Sequence, residues 1–403
     1  MTYINAVKYL LSLPHEADND SATIERMRTV CDTFGNPQKQ LKCIHVCGDV
    51  GKGSSLQMIS SILRSASYRD GVCSFPDSDD FRSSISVLGK PIAYAEFADI
   101  IKSLSKAYKS LFKDVIPTRS EILTLAAILF FCKSGCDIAI FEKSYSKNDP
   151  VNVTDAPMVS VITPFTERTA NDGQFDSLVQ KGTTEIVSSP QHKEIYNTIS
   201  NACSIAGSRL TIPVYSEMEI EKITLFKTFF KYRGFNHSVR SFSPCQTVNA
   251  ITAIEVARAL NRIGAQIPDE IIARGLSLAS LDGKCEAISI EPTIIVSSIC
   301  EKERLDTLLA SLSQIKELLP DQMSIYIDKE SDVSISDIGS SISAYGIPFL
   351  DIRAISEIDV KDFAKAVISS FDPDESSSSA AIFIGKRDFI SKARATVSEC
   401  LNS

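Results

Sequence analysis

The chain contains no Cys-x-x-Cys pair, and its 11 cysteines nowhere alternate with its 4 histidines at the spacing a zinc site needs. Several of them, such as Cys43, Cys47 and Cys132, lie inside apolar segments and read as reduced thiols serving as small buried hydrophobes. Dense Lys/Arg runs are also missing. With a formal charge of -8, the surface repels a polyphosphate backbone, so nucleic acid is not an expected partner. Long hydrophobic runs are absent as well: the longest, Ile122 to Cys132, is too short to cross a bilayer. The segment Met1 to Leu13 has no basic start, apolar run and small-residue cleavage site in succession. It reads instead as an amphipathic helix with Ile4, Val7, Leu10 and Leu11 on one face. These absences point to the cytoplasm, with no membrane partner.

What is present is ordinary for a globular protein: 44% hydrophobic and 23% charged residues over a length of 403. That length exceeds what one core usually serves, so two domains are expected. No internal repeat is evident. Strand and helix patterns alternate, which argues for a largely parallel sheet covered on both faces. A strand at Leu41 to Cys47 leads through a glycine-rich turn into a helix from Ser54 to Ala66. Helical patterns follow at Ile92 to Phe112 and Ser120 to Lys133, then short apolar strands at Asp137 to Glu142 and Met158 to Thr163. A helix covers Gln191 to Ala206, an aromatic-rich stretch from Thr211 to Phe242 has the look of antiparallel strands, and helices follow at Thr247 to Arg262 and Asp269 to Leu276. The turn signal at Asp282-Gly283 sets a boundary between domains 1–283 and 284–403. In the second, strands are predicted at Glu286 to Ser297, Met323 to Asp328 and Ala380 to Ile384, with helices at Lys302 to Leu318, Val360 to Ser370 and Arg387 to Leu401. The acidic, serine-rich run Asp372 to Ser379 reads as a solvated loop. The fold class is therefore α/β: a P-loop-type, largely parallel sheet domain followed by a smaller, Rossmann-like α/β domain.

The strongest chemical signal is Gly48-Asp49-Val50-Gly51-Lys52-Gly53-Ser54 between a strand and a helix. Glycines let backbone N–H groups turn toward an anion, Lys52 adds a mobile positive charge for the outer phosphates, and Ser54 can place a hydroxyl on Mg2+. The spacing departs from G-x-x-x-x-G-K-[ST], with two residues between Gly48 and Gly51 and a further glycine before the serine. Glu142 ends the next buried strand. At the carboxyl end of a parallel sheet its carboxylate can reach the ion that Ser54 would hold.

These residues carry a resemblance. His45-Val46-Cys47-Gly48-Asp49-Val50-Gly51-Lys52-Gly53-Ser54-Ser55 and Ile62-Leu63-Arg64-Ser65 resemble the H-V-x-G-T-N-G-K-G-S-T and S-I-L-R-x-x-G stretches of folylpolyglutamate and dihydrofolate synthases, members of the Mur ligase superfamily. The similarity continues at Thr118 to Thr124, Asp137 to Glu142, Val159 to Thr163 and Pro190-Gln191. It reaches Gln246-Thr247-Val248-Asn249-Ala250, similar to H-Q-x-x-N-A, and Ile384-Gly385 in the last strand. The resemblance implies an MgATP-dependent ligase of one-carbon metabolism that phosphorylates a folate-like carboxylate, after which the amine of glutamate displaces phosphate. By position it implies that Gly48, Gly51, Lys52, Gly53, Ser54 and Ser55 hold the nucleotide phosphates. Gln246 and Asn249 would hold the rest of the ATP, Ser54 and Glu142 the Mg2+, and Lys181 would stand where the family bears a carbamylated lysine. The chain is expected to act as a monomer.

Departures from the family pattern fall on functional positions. Asp49-Val50 replaces Thr-Asn beside the phosphates. Phe75-Pro76-Asp77 stands for S-P-H, so the serine is either replaced or displaced to Ser74. Lys143 to Asp149 replaces G-L-G-G-R-x-D and has no glycine. Pro164-Phe165-Thr166-Glu167 follows the strand where a D-H pair is expected, leaving Glu167 as the candidate oxygen ligand. Ser297-Ser298-Ile299-Cys300-Glu301 replaces D-G-A-H-N. Two readings follow: an active but divergent ATP-dependent amide ligase, and a catalytically degenerate ATP-binding relative with a regulatory or binding role.

Overall fold

A computed structural model describes residues 1–14, 22–75, 80–166, 178–299, 302–320, 323–347, 349–371 and 380–401. Five of the positions just named, Pro76, Asp77, Glu167, Cys300 and Glu301, lie outside the described residues, as does Asp372 to Ser379. The chain divides into two compact units. Described residues within 1–75, 80–214 and 249–275 make up the first, and those within 215–248 and 276–401 the second.

The first unit is built on eight strands: β1 (Cys43–Cys47), β2 (Asp70–Cys73), β3 (Ile85–Val87), β4 (Lys90–Pro91), β5 (Ile138–Glu142), β6 (Val159–Ile162), β7 (Glu185–Ser188) and β8 (Arg209–Thr211). Their order across the sheet is β4-β3-β2-β5-β1-β6-β7-β8. β2, β5, β1, β6, β7 and β8 run parallel, and β3 and β4 close one edge antiparallel. Every residue of β1 and β6 is buried, as continuous apolar strands covered on both faces must be. On one face Cys43, Ala139, Phe141 and Cys73 join a core with the helices Thr23–Thr33, Tyr94–Leu111 and Arg119–Lys133. Within it a buried ion pair joins Arg26 to Glu121 at 2.6 Å, and Tyr108 donates its hydroxyl to the same carboxylate at 2.8 Å. Thr118 caps the helix that carries Glu121, accepting from its N–H.

The helix Lys52–Ser65 follows β1 and buries Leu56, Met58, Ile59, Ile62 and Leu63. The helix Asp269–Leu278 approaches it so closely at Gly275 that a Cβ there would lie 2.5 Å from Ile62 Cα; Ser61 Oγ donates to the Gly275 carbonyl at 2.7 Å.

The second unit holds a three-stranded antiparallel sheet of β9 (Met218–Ile223), β10 (Thr228–Tyr232) and β11 (Phe235–Val239), in the aromatic-rich stretch where such strands were expected. It also holds β12 (Glu286–Ile290), β13 (Thr293–Ser298), β14 (Met323–Asp328), β15 (Asp351–Ile355) and β16 (Ala380–Gly385), ordered β12-β13-β16-β14-β15. All but β12 are parallel. The helices Lys302–Gln314 and Ile335–Tyr345 pack on one face, and Val360–Ser369 and Arg387–Leu401 on the other.

Two expectations need correction, and several elements were not foreseen. The amphipathic helix forms at Tyr3–Leu11 but packs through Ala6 and Leu10, leaving Ile4 65% and Leu11 57% exposed. The apolar face read from the pattern was too wide for so short a helix. Glu286 to Ser297 is a hairpin of two strands, turned at Glu291-Pro292, because proline supplies no N–H to a continuous strand. β2, β7, β8, β15 and the helices Thr23–Thr33 and Ile335–Tyr345 carry too few contiguous apolar residues to announce themselves.

Candidate functional site

Three neighbouring strands of the first unit, β5, β1 and β6, end side by side, and their carboxyl ends are where ligands gather in open parallel sheets. From β1 the chain turns through Gly48 (φ 137°) and Gly51 (φ 85°) into the helix at Lys52. Both glycines are required. A Cβ at Gly48 would lie 2.6 Å from the Thr163 carbonyl oxygen, and one at Gly51 would lie 2.4 Å from Asn249 Oδ1. Asn249 thus adjoins the loop, as its assignment to the nucleotide site requires.

The helix begins without a side-chain cap. Its first-turn amides, at Lys52, Gly53 and Ser54, have no partner within the helix, and the helix dipole favours an anion before them. Lys52 folds back over the turn, donating to the Gly48 carbonyl at 2.5 Å, and its Nζ lies 3.8 Å from Glu142 Oε1. Lys52 and Glu142 are both partly exposed, so the pair is open to solvent and to an incoming ligand. The other carboxylate oxygen, Glu142 Oε2, accepts from Phe75 N at 3.3 Å, at the end of β2. Ser54 and Ser55 are buried, and Ser55 Oγ has no hydrogen-bond partner.

Two features escaped the sequence. Asp49 Oδ2 accepts from Thr166 N at 2.9 Å and from Thr166 Oγ1 at 3.0 Å, while Asp49 N and Val50 N both donate to Pro164 O at 3.1 Å. The segment after β6 is therefore pinned to the glycine loop. Gln191 holds that segment in turn, accepting from Phe165 N at 3.1 Å and donating to Thr163 O at 3.0 Å. The second feature is Lys143, which is 5% exposed and donates to Asn152 Oδ1 at 2.7 Å; burial pulls its ammonium below the usual lysine range. Asp149 organises the glycine-free loop around it, accepting from Ser144 N and Oγ at 2.7 Å and from Val151 N at 2.9 Å. The loop that lost its glycines is rebuilt on side-chain hydrogen bonds. His45, in β1, touches Thr154 Oγ1 at 3.0 Å, and burial, then Lys143, holds its ring neutral far below the usual histidine range. Cys47 immediately precedes the loop, but burial pushes its thiol up to about 12, so it is no thiolate nucleophile.

Lys181 is exposed, in a turn where Thr183 N donates to Gln180 O at 3.0 Å. Gln246 is buried in the second unit, on the helix Cys245–Arg262, with its N–H on Ser243 O. Among the described residues no group of three or more His, Cys, Asp or Glu side chains could hold a metal ion. A Mg2+ bound through one hydroxyl, one carboxylate, phosphate oxygens and water needs no such group, and Ser54 and Glu142 fit that donor set. No helix among the described residues is long and apolar enough to cross a membrane.

No family model matches the chain. The dihydrofolate synthase/folylpolyglutamate synthase of Bacillus subtilis is 26% identical over 317 residues, spanning 72% of this chain and 71% of that protein. Two bifunctional relatives from Halobacterium salinarum and Haloferax volcanii are matched over 38% and 37% of their own lengths. Among solved structures, the apo form of L. casei FPGS superposes with a TM-score of 0.82 at 18% identity, covering 100% of both chains. An FPGS-AMPPCP-folate complex gives 0.77 at 20% identity, over 99% of this chain and 100% of the other. The structural matches establish the two-part α/β fold, and the sequence matches extend the relation through most of the chain. In sequence the chain is similar to dihydrofolate and folylpolyglutamate synthases over about two thirds of its length or more, and it shares the fold of the solved ones.

Proposed function

We propose that the protein is an ATP-dependent carboxylate–amine ligase of the folylpolyglutamate synthase type, joining glutamate to a folate-like carboxylate. The observation that carries this reading is the meeting of Lys52 and Glu142 at the mouth of the glycine loop, before an uncapped helix N-terminus. The first unit is then the ATP-binding one, working as a monomer in the cytoplasm. Relatives of this fold have been solved with AMPPCP and folate, which supports the same ligand classes here.

In this reading the amides of the first helical turn and Lys52 bind the β- and γ-phosphates, and Ser54 and Glu142 hold Mg2+. Asn249 and Gln246 contact the remainder of the nucleotide. Bound Mg2+ neutralises charge on the transferring phosphoryl group. The acceptor's carboxylate oxygen attacks the γ-phosphorus and ADP leaves; the glutamate amine then attacks the acyl carbon, losing a proton as inorganic phosphate departs. Lys52 favours the first step because its charge faces the oxygens on which negative charge accumulates. Lys181 remains the candidate for the carbamylated position.

The test is phosphate release in MgATP with dihydropteroate or tetrahydrofolate, with and without glutamate. Slow release that requires both the folate and glutamate is expected. Retained nucleotide binding with no release over a panel of folates would leave a degenerate ATP-binding relative as the correct reading.

A further inference from the structure

Two successive backbone N–H groups, Asp49 and Val50, converge on one oxygen, Pro164 O, each at 3.1 Å. Consecutive amides aimed at one point form the concavity that elsewhere receives an anion's oxygen. Here a carbonyl fills it. That carbonyl belongs to a short segment anchored on both sides. Gln191 bonds Phe165 N and Thr163 O, and Asp49 takes both donors of Thr166, its N–H at 2.9 Å and its hydroxyl at 3.0 Å. Gly48 lets the two strands of this arrangement touch, since any Cβ there would collide with Thr163. The amides of Asp49 and Val50 are thus engaged by the protein itself, whereas those opening the helix at Lys52 are not capped by a side chain.

Resting on the nucleotide reading above, we propose that the Pro164 carbonyl is an internal competitor for the phosphate loop and that Asp49 is the positioning residue that holds it there, through Thr166. Nucleotide phosphates reach the full set of loop amides only when the segment swings away. The apparent affinity is lowered by the fraction of molecules in which the loop is engaged. Asp49 therefore acts through a hydrogen-bonded latch and not merely as a negative charge near phosphate.

The two roles separate cleanly. Asp49→Asn discards the charge but keeps an oxygen to accept from Thr166; Asp49→Ala discards both. Each is compared with the full-length wild type by calorimetric titration with MgADP and, without nucleotide, by hydrogen exchange at the Val50 amide. The latch expects Asp49→Ala to bind MgADP about threefold to tenfold more tightly than Asp49→Asn. It also expects Val50 exchange about tenfold or more faster in Asp49→Ala than in wild type, with Asp49→Asn close to wild type. Equal tightening in the two variants would show a charge effect alone and overturn the proposal, as would unchanged exchange at Val50. If wild type and both variants fail to bind MgADP, the nucleotide reading itself falls, and the competitor role with it, whatever the exchange shows.

Discussion

Each unit has a parallel sheet whose strand ends face the start of a helix, yet the two ends are finished differently. In the first unit the helix Lys52–Ser65 opens without a side-chain cap, with Lys52 and Glu142 poised beside it. In the second, buried Asp328 at the end of β14 accepts from Lys386 N at 3.2 Å and from Glu330 N at 3.0 Å, just before the helix Arg387–Leu401. Gly385, where a Cβ would lie 2.3 Å from Asp328 Cβ, lets that carboxylate in. In the second unit the end carboxylate itself satisfies the turn amides, whereas in the first Asp49 is taken by Thr166 and Glu142 lies beside Lys52, and the first amides of the helix stay uncapped by a side chain. Parallel strand ends facing a helix do not by themselves make a shared site, and what decides is which groups the end residues leave unsatisfied.

The strongest way to break the contrast is to fill the open end. Gly48→Ala places a methyl 2.2 Å from Thr163 Oγ1 at a φ of +137°. It should destabilise the first unit by about 2–3 kcal/mol, the range for overpacking and backbone strain together, and abolish MgADP binding. Urea unfolding and titration check the two effects; an unperturbed variant would mean the loop is looser than described. The reverse operation empties the closed end. Asp328→Ala strips two amides of their acceptor and should cost about 1–2 kcal/mol by urea unfolding, with MgADP affinity unchanged. A loss of affinity would show that the second unit's strand ends also serve the nucleotide.

A finer contrast is in pH. His45, two residues before Cys47 in the strand that feeds the open end, is buried beside Phe141, Thr154 and Lys143 and held neutral in the fold. Its folded pKa is depressed, so the unfolded chain takes up the proton first. Stability is fully present above the ordinary histidine range and falls as pH drops below it. Unfolding measured at pH 7.5 and pH 5.5 should show wild type losing stability and His45→Asn following a shallower slope. Parallel slopes would remove His45 from the account.

Much of this was legible in the sequence because it is local. The strand, glycine turn and helix from Cys43 to Ser65 are contiguous, and Glu142 was located by the rule that parallel strands present their carboxyl ends together. The Asp49 and Thr166 contact joins residues 117 apart, and no periodicity encodes it. Lys143 reads as a surface charge, because a lysine after a strand is ordinarily solvated; only the side chains of Asn152 and Asp149 reveal that it is buried. The role of Asp328 was hidden for a related reason: the amides it satisfies come from the turns after two strands far apart in sequence.

The most direct measurement is calorimetric titration of wild type and Lys52→Ala with MgADP. An ion pair to phosphate in a partly desolvated site contributes ~1.5–3 kcal/mol, so the account expects wild-type binding and a loss of about tenfold or more in the variant. Equal affinity in the two proteins would contradict it, because the open sheet end would then hold no phosphate.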